Sequence, residues 1–164
     1  MNLAYRIVAG SLLAGALHAQ GGVAMKGDAM MHGEGTFTVR TLPQEGSAFE
    51  KDAGIVRVGF EKEWSGVLTG SSKTEMLSSV TEETGAMAYV AMERFEGKLN
   101  GRPGSFYFAH TATMKKGDAE SGVMHIVVVK NSGTGELRGL SGTLQIKIEG
   151  GKHSYGFEYE LPER

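Results

Sequence analysis

The chain has 164 residues, 40% of them hydrophobic and 22% charged, with a formal charge of -2, enough for one domain with a real core and short for two. Lys and Arg are scattered among Glu without a basic stripe, so an electrostatic grip on nucleic acid has no source in the composition. There are no cysteines, which excludes disulfides, thiolate metal sites, a Cys nucleophile and a lipidated Cys.

The first twenty residues, MNLAYRIVAGSLLAGALHAQ, carry one cation at Arg6, an uncharged apolar run from Ile7 to Leu17, and Ala19 before Gln20. This is the shape of a secretory signal over residues 1–19, and it predicts a mature protein in the periplasm or outside the cell. The run is too short for a permanent membrane span, so none is expected in the mature form. Residues 20–32 are rich in Gly, Ala and Met without a usable period, and they read as a flexible leader. Their methionines and His32 are too sparse for a soft-ligand copper site.

The folded domain is expected over 33–164. Ordered structure should begin near Glu34, where Gly35, Phe37, Val39 and Thr41 alternate with polar residues as in a half-buried strand ended by Pro43. Glu45 to Asp52 reads as a polar loop. Next, IVRVGFEKEWSGVLTG alternates again and sets Val58, Phe60, Lys62 and Trp64 on one face. Ser72 to Ser79 reads as a shorter strand, and TEETG as the turn after it.

The central hairpin is YVAMERFEGKLNGRPGSFYFAH, two alternating runs around an Asn-Gly-Arg-Pro-Gly corner. Tyr89, Ala91, Glu93, Phe95 and Leu99 share a side of its first strand. Phe106, Phe108 and His110 share one on its second. After the charged turn KKGDAESG, the run VMHIVVVK is continuously apolar, as in a strand covered on both faces. Periodicity leaves the direction of His125 open. SGTGELRGLSG lacks the helix and the Lys-Ser/Thr ending of a phosphate cradle and reads as a bulged turn at a sheet rim. GTLQIKIEG and HSYGFEYEL close the chain around a Gly150-Gly151 turn. No segment after residue 20 has a helical period. Strands and turns at this spacing predict an all-β antiparallel meander, curled into a small barrel or folded as a two-sheet sandwich.

Taken in order, the segments YVAMERFEGKLNGRPGSFYFAH, SGTGELRGLSG and GKHSYGFEYELP, with an upstream K-x-W-S-G-x-L, resemble the uncharacterised bacterial family catalogued as domain of unknown function 3224. The resemblance runs from about Gly33 to Pro162. It implies a calycin-like antiparallel barrel of about eight strands, similar in fold to allene oxide cyclase, with Met124, Ile126 and Val128 pointing inward. It implies no established reaction. In the plant cyclases a glutamate in the barrel cavity assists ring closure of a fatty-acid epoxide, but no cyclase motif matches here residue by residue.

The inward set carries the candidate chemistry. Phe37, Phe60, Trp64, Tyr89, Phe95, Phe106 and Phe108 would line an aromatic lumen, with Lys62, Glu93 and His110 as its few polar groups. Such a cavity suits a small apolar or lipid-like ligand bearing one oxygen function. The expected ligand contacts are Lys62, Trp64, Tyr89, Phe95, Phe106, Phe108 and His110. Glu93 is the candidate catalytic residue, for an isomerase or cyclase working by proton transfer. Burial would raise its pKa and a nearby cation would lower it, with the net sign open from sequence. A third reading makes the trio a structural ion pair inside a filled barrel. No metal site and no cofactor is called for. Barrel exteriors and sheet edges can self-associate, so a homo-oligomer is compatible with this class.

Overall fold

The computed structural model describes residues 29–163, without the side chains of 119–121. The signal segment and most of the expected leader lie outside these residues. Eight strands run in simple up-and-down order: β1 (Met31–Pro43), β2 (Ile55–Gly66), β3 (Leu68–Thr81), β4 (Ala86–Leu99), β5 (Arg102–Lys115), β6 (Asp118–Val128), β7 (Ser141–Glu149) and β8 (Lys152–Glu160). Every neighbouring pair is antiparallel, and β1 pairs with both β2 and β8, so the sheet closes into a barrel and leaves no edge. The meander is therefore a barrel, not a sandwich. Among the described residues no helix is long and apolar enough to cross a membrane.

The turns are the ones the sequence marks. Asn100 and Gly101 both have positive φ, 48° and 82°, the geometry that matches a two-residue loop to the twist of its strands. The corner is tighter than the five residues expected, because Arg102 and Pro103 already belong to β5. Gly150 and Gly151, at φ 54° and 76°, turn β7 into β8 in the same way.

Four local expectations are corrected. Glu45–Asp52 is not all loop: α1 (Ala48–Asp52) starts from a capping box in which Ser47 and Glu50 satisfy each other's backbone amides. The third strand runs Leu68–Thr81, well beyond Ser72–Ser79, because its extra residues pair fully with β4. The β6 strand is covered on one face only: Ile126 and Val128 are buried, whereas Val123 and Val127 face out and are exposed. The glycine-rich connection is no bulged turn; it forms a short 3-10 helix, Gly135–Leu137, that buries Leu137 and Leu140. In addition, β1 begins at Met31, so Met31 and His32 are strand residues paired with Tyr159 and Glu158.

The two ends of the barrel differ. At the end carrying the β2–β3, β4–β5 and β6–β7 connections, Leu68, Phe95, Leu99, Phe106, Leu137, Leu140, Phe157 and Leu161 form a packed core. Arg102 donates to the carbonyls of Pro162 and Glu136 at 3.2 and 2.8 Å, tying the C-terminal segment and the 3-10 helix across this end. The Tyr155 hydroxyl accepts from the Leu68 amide at 2.9 Å and donates to the Ser65 carbonyl at 3.2 Å. It reaches them because residue 35 is glycine: a Cβ there would lie 2.4 Å from that hydroxyl. We call this the closed end.

The opposite end is incomplete. β7 and β8 have 9 residues each against 14 for β3, β4 and β5, so the wall is lower on their side. The β6 and β7 strands meet in a short pairing at Val127 and Thr143. Inward-facing Val56, Val80, Met124 and Ile148 remain exposed here, Val56 at 56% and Ile148 at 61%. This is the open end.

Candidate functional site

Register brings the polar trio together where the two halves meet. Glu93 on β4 lies opposite Thr74 on β3 and Phe108 on β5, and Lys62 on β2 lies opposite Ser72 on β3. The pleat turns all of these inward. Glu93 has no exposed surface, Lys62 is 7% exposed and His110 5%. The Lys62 Nζ donates to Glu93 Oε2 at 2.6 Å. The ammonium also stands 5.2 and 5.4 Å from the ring centres of Phe37 and Trp64, where ring faces add to its stabilisation.

The other oxygen of Glu93 is held by a relay that sequence reasoning missed. Ser72 donates to Glu93 Oε1 at 2.5 Å, and the indole N–H of Trp64 donates to Ser72 Oγ at 2.8 Å. Ser72 sits in the polar run TGSSKTEM, where an inward serine has no contrast with its neighbours. Its parity with Leu68 and Met76 on the same strand is the signal that could have found it.

His110 Nε2 lies 3.0 Å from Glu93 Oε2, within ion-pairing reach. The imidazole faces this oxygen, and its hydrogen bond to Glu93 is the largest of the effects that lower the carboxyl. Thr74 Oγ1, also buried, has no hydrogen-bond partner among the described residues. Burial pushes the Glu93 carboxyl up, but His110 and Lys62 beside it pull it further down, to about 2. It is therefore an anion throughout the neutral range. Tyr89, half-buried one pleat nearer the open end than Ala91, has its hydroxyl pKa raised by burial and then by the Glu93 charge.

The aromatic candidates divide by position. Phe95, Phe106 and Phe108 are wholly buried and pack ring to ring, with centres 5.1 Å apart for the first pair and 4.8 Å for the second. Trp64 and Phe37 pack at 4.6 Å. These rings fill the closed half. Phe60 and Tyr89 are half-buried on the open side. On that side the inward positions carry Ala91, Ala112 and Ser78 together with Val58, Met76 and His110. His125 faces out, and no group of three or more His, Asp or Glu among the described residues could hold a metal ion. Outside the barrel, Leu77, Ala88, Val90, Thr111, Val123 and His125 border an apolar groove of about 470 Å³.

Comparison with known proteins sets this geometry in a family. A family model described as "Protein of unknown function (DUF3224)" matches residues 33–159. The crystal structure of a DUF3224-family protein of unknown function from Shewanella oneidensis MR-1 is similar at 37% identity and a TM-score of 0.73. It covers 82% of this chain and 100% of that one. No curated protein matches the chain.

Proposed function

We propose, from the premise that this chain belongs to the DUF3224 family, that the open half of its barrel is a cup for a small apolar or lipid-like ligand, floored by Lys62, Glu93 and His110. The observation that carries this reading is the change in side-chain packing across Glu93, from fully buried to half-buried. Toward the closed end the inward neighbours are the mutually packed Phe95, Phe106 and Phe108. Toward the open end Ala91 and Ala112 stand among the half-buried Val58, Phe60, Met76 and Tyr89, beneath inward apolar residues that stay exposed. A lumen filled by packed rings on one side and lined by half-buried apolar side chains on the other leaves apolar surface to cover on one side only. Apolar walls around a few convergent polar groups are the usual make-up of a ligand site.

In this cup Tyr89 is the ligand's side wall, and Lys62 and His110 border its polar end. Trp64, Phe95, Phe106 and Phe108 serve as the rigid backing that holds the floor in position. Binding is favoured over proton-transfer chemistry by the state of Glu93. A general acid or base works best with a pKa near the working pH, and the partners of Glu93 hold its carboxyl below the ordinary range, away from that match. Export completes the proposal and rests on the sequence of residues 1–19 alone.

Native mass spectrometry of protein from its host, with titration of the neutral dye Nile red, tests the reading. The expected result is a co-purifying small mass or saturable dye binding, reduced in Ala91→Leu, whose added methyls fill the cup. The same spectrum reads the mature N-terminus, expected at Gln20. A clean ligand-free mass with no saturable dye response would overturn the cup, and an intact Met1 would overturn export.

A further inference from the structure

We propose that the outer wall formed by β4, β5 and β6 is a dimer interface, which meets the same wall of a second copy of this chain. The proposal concerns the outside of the barrel and does not depend on what the cup holds.

Three rows of outward residues cross these strands. Register places Ala88 beside Thr113 and Val123, Val90 beside Thr111 and His125, and Met92 beside Ala109 and Val127. No Lys, Arg, Asp or Glu stands in these rows. The other walls differ: β1, β2, β3, β7 and β8 carry charge outward at Arg40, Glu61, Lys73, Lys147 and Glu158. In place of charge the wall leaves large apolar side chains in water, with Val123 55% exposed, Val90 53% and Met92 49%. An antiparallel sheet with one solvated face ordinarily alternates apolar and polar residues. Single exposed apolar residues need no explanation, but a contiguous set marks a surface that something covers.

Shape and charge point to a copy of the same wall. Toward the closed end the wall carries the large, exposed Met92, Tyr107 and Val127. Toward the open end the small Ser79, Ala88, Thr111 and Thr113 line the groove of about 470 Å³. A two-fold axis lying along the Val90 row reverses the strands end for end, so each copy's large side chains come over the other's groove. A symmetric contact requires this kind of self-complementarity. A wall without charge offers no counter-charge to nucleic acid or to anionic headgroups, and a net charge of -2 leaves little repulsion between copies. With strands about 4.8 Å apart and outward rows about 6.8 Å apart, the three-by-three patch covers roughly 300 Å² of wall. That is the apolar centre of an interface of about 800 Å² per partner, which needs a polar rim. Lys73, Glu75, Arg94 and Glu96 supply one on the flank toward β3 and the closed end.

Sedimentation velocity of the purified protein over about 1 to 100 μM tests the proposal. A reversible dimer is expected. Val90→Glu, which sets a carboxylate in the middle row, should weaken it about ten-fold or more, because the contact would bury an unpaired charge. Thr38→Glu, outward on β1, should leave it intact. Val127→Lys reads the same wall from a different row should Val90→Glu fail to fold, as judged by its urea melt, and the same weakening is expected. A monomer throughout the range would overturn the proposal, and so would a dimer that survives the wall substitutions in a folded protein. Flotation with phosphatidylcholine vesicles covers the other occupant. A monomer that floats with them, and ceases to in Val90→Glu, would give the wall to a lipid surface and overturn the dimer.

Discussion

The two halves of this barrel are built from the same strands and differ in what their inward pleats carry. In the closed half, consecutive inward positions hold Phe95, Phe106, Phe108, Phe157 and Tyr155, and a 3-10 helix with Leu137 seals the end. In the open half the same strands present Ala91 and Ala112 with Phe60, Met76, Tyr89 and Met124, which stay half-buried or exposed, and the short β7–β8 hairpin leaves the wall low. An eight-stranded barrel has an interior that side chains can fill or that can hold one small ligand. Here the closed half holds the fully buried packing, the other half keeps its inward side chains part-exposed, and the charged trio marks the border between them.

The sharpest way to break the comparison is to hollow the closed half. Phe106→Ala removes a fully buried ring that contacts Phe95, Phe108 and Phe157, and rigid neighbours on every side cannot collapse into the space. The expected cost is roughly 3 to 5 kcal/mol of unfolding free energy, read as a lowered midpoint in urea. A cost below about 1 kcal/mol would mean that the closed half is no better packed than the open one.

The border comes next. Lys62→Met keeps the stem over Phe37 and Trp64 but leaves Glu93 buried without its ammonium, at an expected cost on the order of 3 kcal/mol near neutral pH. Adding Glu93→Gln should recover much of it, since the uncompensated charge is then gone. The pH dependence has a definite sign. The folded carboxyl lies at about 2 against an ordinary 4.5, so its stabilisation is fully present above about 4.5 and is lost as pH falls toward 2. Removing Lys62 raises the folded value, and the acid-side loss should begin at a higher pH. Urea midpoints across pH 2 to 7 check this, and an unchanged acid limb in Lys62→Met would show that the pair is not coupled.

The closed half was more legible in the sequence than the border, and the border more than the open end. Period-two alternation identifies Phe95, Leu99, Phe106 and Phe108 as inward, because Arg94, Glu96, Lys98 and Ser105 set the apolar face off from the polar one. The meeting of Lys62, Glu93 and His110 follows from the same parity, applied to three polar residues on apolar faces. Ser72 and Thr74 escaped because they are polar residues in a polar run, and their surroundings come from β2 and β4, which are distant in sequence. VMHIVVVK misled for a different reason: a run apolar at every position looks covered on both faces, yet its outer residues border an exposed groove. The short helix was readable, since Ser47 and Glu50 stand at capping-box spacing, but a five-residue helix shows no apolar period.

The mildest change sharpens the comparison from the other side. Ile148 points inward by its register opposite His153, yet 61% of it is exposed, because β7 ends where the wall is low. In a filled barrel an inward isoleucine would contribute several kcal/mol, and its truncation to Ala would leave a cavity. At the mouth of a cup it gives up little buried area, so Ile148→Ala should shift stability by no more than about 0.5 kcal/mol. The same substitution should weaken Nile red binding, because the ring of apolar residues at the mouth is what the dye enters past. A urea melt and a dye titration on the one variant read both quantities. A loss of 2 kcal/mol or more would mean that the mouth closes over Ile148 in solution, and the difference between the two halves would then be one of sequence alone.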